Sequence, residues 1–443
     1  MFPTLNYFFK YLFGWDWGMN FPPSFGFLVA LSFLCAAWVL SKELKRKEKL
    51  GLMRSVKRKV KVGAKASTTD LISYGLFGFV VGFKVLGMIL GDSGFRENAQ
   101  NYILSTQGNL IGGIIGAALF AGYIYWDKKR KSLPEPKEVE IEVHPYQLVG
   151  NITFYAAISG IIGAKIFHQL EYWDNFVADP IGNLFSASGL TFYGGLIGGF
   201  AGVWFYIRKN KFPLLLIADA VAPGLILAYA VGRLGCMSSG DGDWGIINSA
   251  YRVSDDNKYS VVSPEAIQHD LYDLDSLTGK SNAEIFGGNG QPVSYSYYVK
   301  PKALSFLPTW LFAFDFPHNV NEEGIPIKKG YDKIPTGPDI QYSHRLPLPV
   351  FPTPIYETLM GFVIFFILWG IRKRIKVPGV LFCVYLVLNG IERLLIEQVR
   401  VNSEFPLLGL KVSQAEIIAV IIMLVGLIGL YPMIKFKDKL IKL

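Results

Sequence analysis

The stretch LLLIADAVAPGLILAYAVGRLGC, residues 214–236, is uncharged except for one aspartate and one arginine near its end. A helix that crosses a hydrocarbon core of about 30 Å needs about 20 mostly apolar residues. Nine segments meet that requirement, and because backbone polar groups cannot stay unpaired in lipid, each is predicted to be a helix. The predicted spans are 25–41, 71–91, 109–126, 147–167, 191–207, 214–236, 349–371, 379–399 and 417–434.

The composition of the 443-residue chain supports this interpretation. It is 51% hydrophobic and only 18% charged, whereas soluble proteins carry about 25% charged residues. This composition excludes a soluble enzyme, a disordered chain and a DNA-binding protein, so no nucleic-acid partner is predicted. The three cysteines lie in or beside apolar runs and show no disulfide or zinc spacing. The predicted class is an all-α polytopic membrane protein without a metal.

Lysine and arginine are concentrated in alternate loops. Loops 41–70, 127–146, 208–213, 372–378 and 435–443 hold 27 of the 44. Because such residues mark the cytoplasmic side, the N-terminus is predicted outside and the C-terminus inside. The basic loop 42–65 is predicted to lie on anionic lipid at the cytoplasmic surface.

The connection between the sixth and seventh spans, residues 237–346, is about 110 residues long and carries 14 acidic against 9 basic residues. We interpret it as a mixed periplasmic head domain with short strands, such as Val293–Val299. The predicted organisation is an outer interfacial segment at 1–24, the first helix and an added hairpin at 25–131, a transmembrane core at 132–236 and 347–443, and the head at 237–346.

Two stretches resemble each other at an offset of 81 to 82 residues. Residues 72–87 and 108–131 match residues 152–169 and 188–211, so Lys84 corresponds to Lys165 and Gly112-Gly113 to Gly194-Gly195. A duplicated helical hairpin explains this similarity. The alternative is coincidence, since glycines let helices approach closely in any membrane protein.

Charged residues inside the predicted spans are few, and each costs at least about 2.5 kcal/mol near the bilayer centre. They are Lys84, Lys165, Asp219, Arg233, Glu357, Glu392, Arg393, Glu397 and Arg400. Mutual neutralisation of Arg233 with Glu357 and of Arg393 with Glu397 is one explanation. The other is a pocket for the anionic head group of a phospholipid, because one guanidinium group can bind two phosphate oxygens at once.

Four motifs carry a resemblance to a known family: TFYGGLIGG (191–199), ADAVAPGLILAYAVGRLGC (218–236), PTPIYE (352–357) and IERLLIEQVR (391–400). In this order they resemble the prolipoprotein diacylglyceryl transferases, from about residue 147 to 434. The resemblance implies a multi-pass protein of the bacterial inner membrane. It also implies transfer of the diacylglyceryl group of phosphatidylglycerol to the lipobox cysteine of a preprolipoprotein, which gives a thioether and glycerol-1-phosphate without a cofactor.

The resemblance also implies site residues. The catalytic candidates are Tyr193, Arg233, Glu357, Arg393 and Glu397, and the lipid-binding candidates are Gly194, Gly195, Arg233, Asp241, Gly245 and Arg400. Arg233 and Arg393 would polarise the phosphate, and Glu357 and Glu397 would orient them. The implied partners are phosphatidylglycerol and preprolipoprotein signal peptides, and the head is a candidate surface for a secreted protein.

This sequence departs from the family pattern at several positions. Tyr193 stands where the family has histidine, Cys236 where it has asparagine, and Asn389 where it has a tyrosine one turn before Arg393. His168 could replace the missing imidazole. These departures leave a second hypothesis, a catalytically inactive relative that acts as a lipid-binding or scaffold subunit. A transporter is disfavoured, because the repeat is parallel rather than inverted.

Overall fold

The computed structural model describes residues 1–18, 21–90, 102, 107–185, 191–254, 256–271, 286, 293–328, 340–401, 404–407 and 410–435. These residues are mostly helical. The helices are α1 Leu5–Phe13, α2 Ser24–Lys49, α3 Thr68–Ile89, α4 Leu110–Arg130, α5 Val149–Glu171, α6 Trp173–Ala178, α7 Pro180–Phe185, α8 Phe192–Lys209, α9 Leu214–Ser239, α10 Thr353–Ile371, α11 Val380–Glu397 and α12 Gln414–Lys435.

Among the residues that the structure describes, seven helical segments are long and apolar enough to span a membrane: α2, α3, α4, the run Pro145–Glu171 that contains α5, α9, α10 and α12. Large apolar side chains on them are exposed, among them Ile89 at 72% and Ile428 at 68%. This is the surface expected of helices surrounded by lipid. The two other predicted spans coincide with α8 and α11, each 18 residues long. The polytopic helical class is therefore confirmed, whereas nine spans and their orientation stay predictions.

The strands are short and form two-stranded sheets. They are β1 Val56–Val62, β2 Lys137–Val143, β3 Ile247–Asn248, β4 Tyr251–Val253, β5 Tyr259–Val261, β6 Tyr295–Ser296, β7 Ile325–Pro326, β8 His344–Arg345, β9 Glu404–Leu407 and β10 Leu410–Ser413. The pairs are β1 with β2, β3 with β6, β4 with β5, β7 with β8, and β9 with β10. The strand predicted at Val293–Val299 is shorter than expected, since only β6 forms there.

The chain divides into two compact units, one of Met1–Leu40 and Leu215–Leu443 and the other of Ser41–Leu214. We call them the outer-sequence unit and the middle unit, after their places in the chain. The five-part organisation predicted from the sequence remains a prediction.

The middle unit contains both repeated hairpins, α3 with α4 and α5 with α8. Glycines form each helix contact: a Cβ atom on Gly82 would lie 2.1 Å from the Gly112 carbonyl oxygen, and one on Gly163 would lie 2.3 Å from that of Gly194. Only glycine allows backbones this close. The two contacts occupy matching repeat positions, because residues 82 and 112 become 163 and 194 at the repeat offset.

The backbone connections of the two hairpins also correspond. The Asn109 amide donates to the Phe83 carbonyl oxygen at 2.8 Å, and the Thr191 amide donates to the Ala164 carbonyl oxygen at 3.2 Å. Small-residue packing alone does not require the same bond at the same repeat position. The structure therefore favours duplication of one hairpin over coincidence.

The basic loop of the middle unit includes a strand with an acidic partner. In the antiparallel pair of β1 and β2, Lys57 faces Glu142 and Lys59 faces Glu140. Opposite charges that face each other across two strands stabilise the pair. The lysines of β1 thus face acidic residues of β2, and the expectation that loop 42–65 lies on anionic lipid remains a prediction.

The outer-sequence unit is built on α9, the most buried candidate span. Val39 of α2, Ile226 of α9 and Leu368 of α10 belong to its apolar core and are fully buried. Asp219 of α9 accepts hydrogen bonds from the Gly379 and Phe382 amides at 2.8 and 2.9 Å. A carboxylate at a helix N-terminus satisfies free amide groups, so this intramembrane charge has a structural role at the start of α11.

The described residues between α9 and α10 pack around a second apolar core, which also includes Met237 of α9. Trp244, Ile247, Phe316, Leu346 and Val350 are members of this core, each at most 7% exposed. The N-terminal segment joins the same unit through the Phe2 amide, which donates to the Ser238 carbonyl oxygen at 2.7 Å. A periplasmic position for this connecting segment remains part of the proposal below.

Candidate active site

Three helices of the outer-sequence unit converge on one buried carboxylate. Glu357, in the first turns of α10, is fully buried, and three guanidinium groups lie against it. Its Oε2 atom is 2.8 Å from Arg233 Nε of α9. Its Oε1 atom is 3.5 Å from Arg393 Nη1 of α11 and 3.3 Å from Arg400 Nη1, just after α11. The structure thus brings together four residues that the sequence analysis selected.

Asp243 is the second carboxylate of this cluster. One of its oxygens contacts Arg233 Nη1 and the other contacts Arg400 Nη2. Sequence reasoning assigned the acidic position to Asp241 and missed Asp243, although the run Gly-Asp-Gly-Asp contains both. The sequence contains one sign that Asp243 could take this position. It has an extra residue before Trp244, which shifts the acidic residue relative to the family motif.

Asp241 lies near the cluster and makes no ion pair with its arginines among the residues that the structure describes. It sits beside the Cys236 thiol, and burial raises the pKa of the Asp241 carboxyl. Cys236 is buried, with its Sγ atom 3.7 Å from Arg233 Nη1. The predicted role of Asp241 in lipid binding stays a prediction.

Gly245 positions the backbone that carries Asp243. Its amide donates to the Phe351 carbonyl oxygen at 2.9 Å, and the next amide, that of Ile246, donates to the Val399 carbonyl oxygen at 2.9 Å. A Cβ atom on Gly245 would lie 2.5 Å from that Val399 oxygen. Gly245 therefore allows the close approach that aligns the chain before α10 with the end of α11.

Glu397 completes the ion pairs on α11. Its Oε2 atom is 2.9 Å from Arg393 Nη2, one turn away on the same helix face. Its other oxygen accepts a hydrogen bond from the hydroxyl of Ser413, the last residue of β10. Sequence reasoning selected Glu397 but missed Ser413, because 16 residues separate the two and no motif includes both.

The cluster as a whole is close to electrically neutral. Three guanidinium charges face three paired carboxylates, those of Glu357, Asp243 and Glu397. The arginine side chains keep between 15% and 24% of their surface exposed, whereas Glu357 is fully enclosed. Guanidinium groups that share one centre and remain partly accessible can bind the oxygens of an anion. The arrangement is suited to a phosphate or carboxylate ligand.

A cation would be a poor ligand for the same residues. Cys236, Asp241 and Asp243 offer Sγ and carboxylate oxygens within 4.8 Å of one another. Both oxygens of Asp243 already contact arginines, so a metal ion would have to displace these contacts and sit beside positive charge. The donor set therefore fits an anion site better than a metal site.

Three further candidates lie in the middle unit, namely Tyr193, Gly194 and Gly195 in the first turn of α8. A Cβ atom on Gly194 would lie 2.5 Å from the Gly163 carbonyl oxygen, and one on Gly195 would lie 3.6 Å from the Ala164 side chain. This glycine pair serves helix packing within its hairpin. A lipid contact for the pair, and a catalytic role for Tyr193, remain predictions.

His168, the candidate replacement for the missing imidazole, is also in the middle unit. It lies near the end of α5, where its ring centroid is 4.7 Å from that of Tyr172. The two rings are tilted by 42° in this contact, and a catalytic role for His168 remains a prediction.

The comparisons with known proteins agree with these motifs. The model of the family described as prolipoprotein diacylglyceryl transferase matches residues 135–431. A relative from Leptospira interrogans, named phosphatidylglycerol–prolipoprotein diacylglyceryl transferase, is 23% identical over 92% of this chain and 80% of its own length. A relative of the same name from Treponema denticola is 26% identical over 52% of this chain and 54% of its own length. The apolar helices of this chain agree with a membrane protein. The chain belongs to the prolipoprotein diacylglyceryl transferases, a family of bacterial membrane enzymes.

Proposed function

We propose that the protein transfers the diacylglyceryl group of phosphatidylglycerol to the lipobox cysteine of secreted preprolipoproteins. The convergence of Arg233, Arg393 and Arg400 on Glu357 supports this proposal most strongly. The leaving group of the reaction is a phosphate ester, and the cluster supplies guanidinium donors from separate helices at one point. Such donors stabilise charge that develops on phosphate oxygens.

The reaction is a substitution at carbon. The cysteine thiolate attacks the glyceryl carbon that carries the phosphate, a C–S bond forms, and the C–O bond to phosphate breaks. The bonding electrons leave with the phosphate oxygen, so glycerol-1-phosphate departs with an added negative charge. Arg233 and Arg393 bind that phosphate, while Glu357 and Glu397 hold the two guanidinium groups in position.

In this proposal the protein crosses the bacterial plasma membrane nine times and its N-terminus lies outside. The head, residues 237–346, lies on the outer face of the membrane. The charge distribution of the loops supports that orientation. Phosphatidylglycerol enters the site laterally from lipid, and the signal peptide arrives from the outer face. In this proposal the head contacts the secreted substrate or a protein partner.

Reconstitution tests the proposal directly. The purified protein is placed in phosphatidylglycerol vesicles with a lipobox peptide, and mass spectrometry measures a gain of one diacylglyceryl unit on cysteine. Vesicles of phosphatidylcholine and a peptide with serine in place of the cysteine serve as controls. Arg393→Ala is expected to abolish transfer, Tyr193→Phe to reduce it, and Arg208→Ala, on the exposed end of α8, to retain it.

The substitutions at Tyr193, Cys236 and Asn389 support one competing function, an inactive lipid-binding or scaffold subunit. If the peptide gains no mass while a histidine-containing relative works in the same vesicles, the transferase proposal is rejected in favour of this alternative.

A further inference from the structure

A hydrogen-bonded pair of side chains, Tyr229 and Glu392, lies beside the arginine cluster and has no role in the function proposed above. The Tyr229 hydroxyl of α9 donates to Glu392 Oε1 of α11 at 3.2 Å. Tyr229 is one turn before Arg233, whose guanidinium carbon lies 5.6 Å from the centre of the tyrosine ring. Glu392 is only 2% exposed and directly precedes Arg393. The pair therefore adjoins both arginines proposed to bind phosphate.

Glu392 has no ion pair in the part of the chain that the structure describes. Each arginine of the cluster pairs instead with Glu357, Asp243 or Glu397. Among the described residues, the titratable and charged groups that face Glu392 are Tyr229 and Arg233 of α9, Glu357 of α10, and Arg393 and Tyr385 of its own helix. A buried carboxyl without a counter-ion is expensive when ionised, so a purely structural role would favour an apolar side chain here.

The reaction needs a group of this kind. A cysteine thiol attacks as the thiolate, so its proton must pass to an acceptor near the phosphate. The family's histidine is replaced by Tyr193, and its tyrosine one turn before Arg393 is replaced by Asn389. Tyr229 supplies a hydroxyl from the neighbouring helix α9, in the same unit as the arginines.

We propose, on the basis of the transferase function above, that Tyr229 and Glu392 form the proton acceptor for the substrate thiol. The thiol proton passes to the Tyr229 oxygen as the Tyr229 proton passes to the Glu392 carboxylate. The thiolate then forms the C–S bond while the C–O electron pair leaves with the phosphate. Glu392 later returns its proton through Tyr229 to water, so charge and atoms balance over a turnover.

The test measures transfer over a range of pH at saturating phosphatidylglycerol. Glu392→Gln keeps the size of the side chain but removes the carboxylate that accepts the proton, and kcat is expected to fall about 100-fold. The KM for the lipid should change less than about twofold, because Arg233 and Arg393 remain in place. The decline of kcat at low pH should disappear, since this decline reports protonation of Glu392.

Two more variants separate a relay from a structural contact. Tyr229→Phe is expected to match Glu392→Gln, and the double variant to be no slower than either, because both residues act in one step. Tyr385→Phe removes a hydroxyl from the same neighbourhood and is expected to keep kcat within about twofold of the parent, since it is Tyr229 that donates the hydrogen bond to Glu392. Glu392→Asp restores a carboxylate and should regain part of the rate with its decline at low pH.

Several results would overturn this inference. Wild-type kcat in Glu392→Gln, with its decline at low pH intact, would reject the relay and leave the transferase function standing. The relay is also rejected if the fall in kcat of the double variant equals the product of the falls in Glu392→Gln and Tyr229→Phe. It is rejected too if Tyr193→Phe abolishes transfer while Tyr229→Phe does not. An inactive wild type beside an active relative would reject the transferase function, and the relay with it.

Discussion

Glu357→Gln tests whether one carboxylate holds the arginine cluster together. Glu357 is fully buried, and its two oxygens lie 2.8, 3.3 and 3.5 Å from nitrogens of Arg233, Arg400 and Arg393. At an effective dielectric constant near 20, each such contact is worth about 5 kcal/mol before desolvation. Glutamine keeps the shape and one acceptor oxygen but leaves the cluster with one uncompensated positive charge.

Removal of one partner from a buried ion pair costs about 3–5 kcal/mol in the free energy of unfolding. Glutamine still accepts a hydrogen bond, so the expected loss is at the lower end, about 3–4 kcal/mol. The phosphate of phosphatidylglycerol can replace the missing negative charge. The lipid should therefore stabilise Glu357→Gln more than it stabilises the parent, because a ligand that binds the folded form more tightly stabilises it more.

The assay is denaturant unfolding in zwitterionic micelles, with and without added phosphatidylglycerol. Glu171→Gln makes the same chemical change at the exposed end of α5 and should alter stability by less than about 0.5 kcal/mol. A loss below about 1 kcal/mol in Glu357→Gln would refute the central role of this carboxylate. Equal stabilisation of parent and variant by the lipid would refute the anion-site interpretation.

Other variants test the neighbouring contacts. Asp243→Asn removes the charge shared by two arginines, so it should lower the free energy of unfolding by about 2–3 kcal/mol and reduce transfer. Asp241→Asn should have a smaller effect on both stability and transfer. A larger effect of Asp241→Asn would contradict the ion pairs of Asp243. Gly163→Ala should destabilise its hairpin by about 1–3 kcal/mol, while Gly150→Ala on the same helix, with open space around it, should not. Asp219→Ala should cost about 1–2 kcal/mol by uncapping α11, and retention of parental stability would show that the cap is dispensable.

The near-neutral state of the cluster has a consequence for substrate binding. The three arginines are paired with Glu357, Asp243 and Glu397, so an incoming phosphate must take over contacts that these carboxylates make. Asp243 is the most accessible of the three, with 28% of its side chain exposed, against 0% for Glu357 and 3% for Glu397. We therefore expect phosphate to displace Asp243 from its arginines first.

The intramembrane charges were informative in the sequence because burial in lipid penalises every unpaired charge. Arg233, Glu357, Arg393 and Glu397 could be selected on that ground alone, and the structure places them in contact. Asp219 followed the same rule but for a different reason, since it caps α11. A charge in an apolar segment indicates that a partner exists, and the sequence does not say whether the partner is a substrate or a helix end.

The amino-acid sequence by itself determined the polytopic membrane class and predicted helices at nine segments, because these depend on composition and local spacing. The same patterns predicted the repeated hairpin and selected the arginines of the proposed site. Only the tertiary structure decided that Asp243, rather than Asp241, joins the arginines, that Ser413 holds Glu397, and that Tyr229 meets Glu392. Each of these pairs joins residues from different segments, some more than 150 positions apart. Their contact depends on how α9, α10 and α11 pack, which no local pattern records.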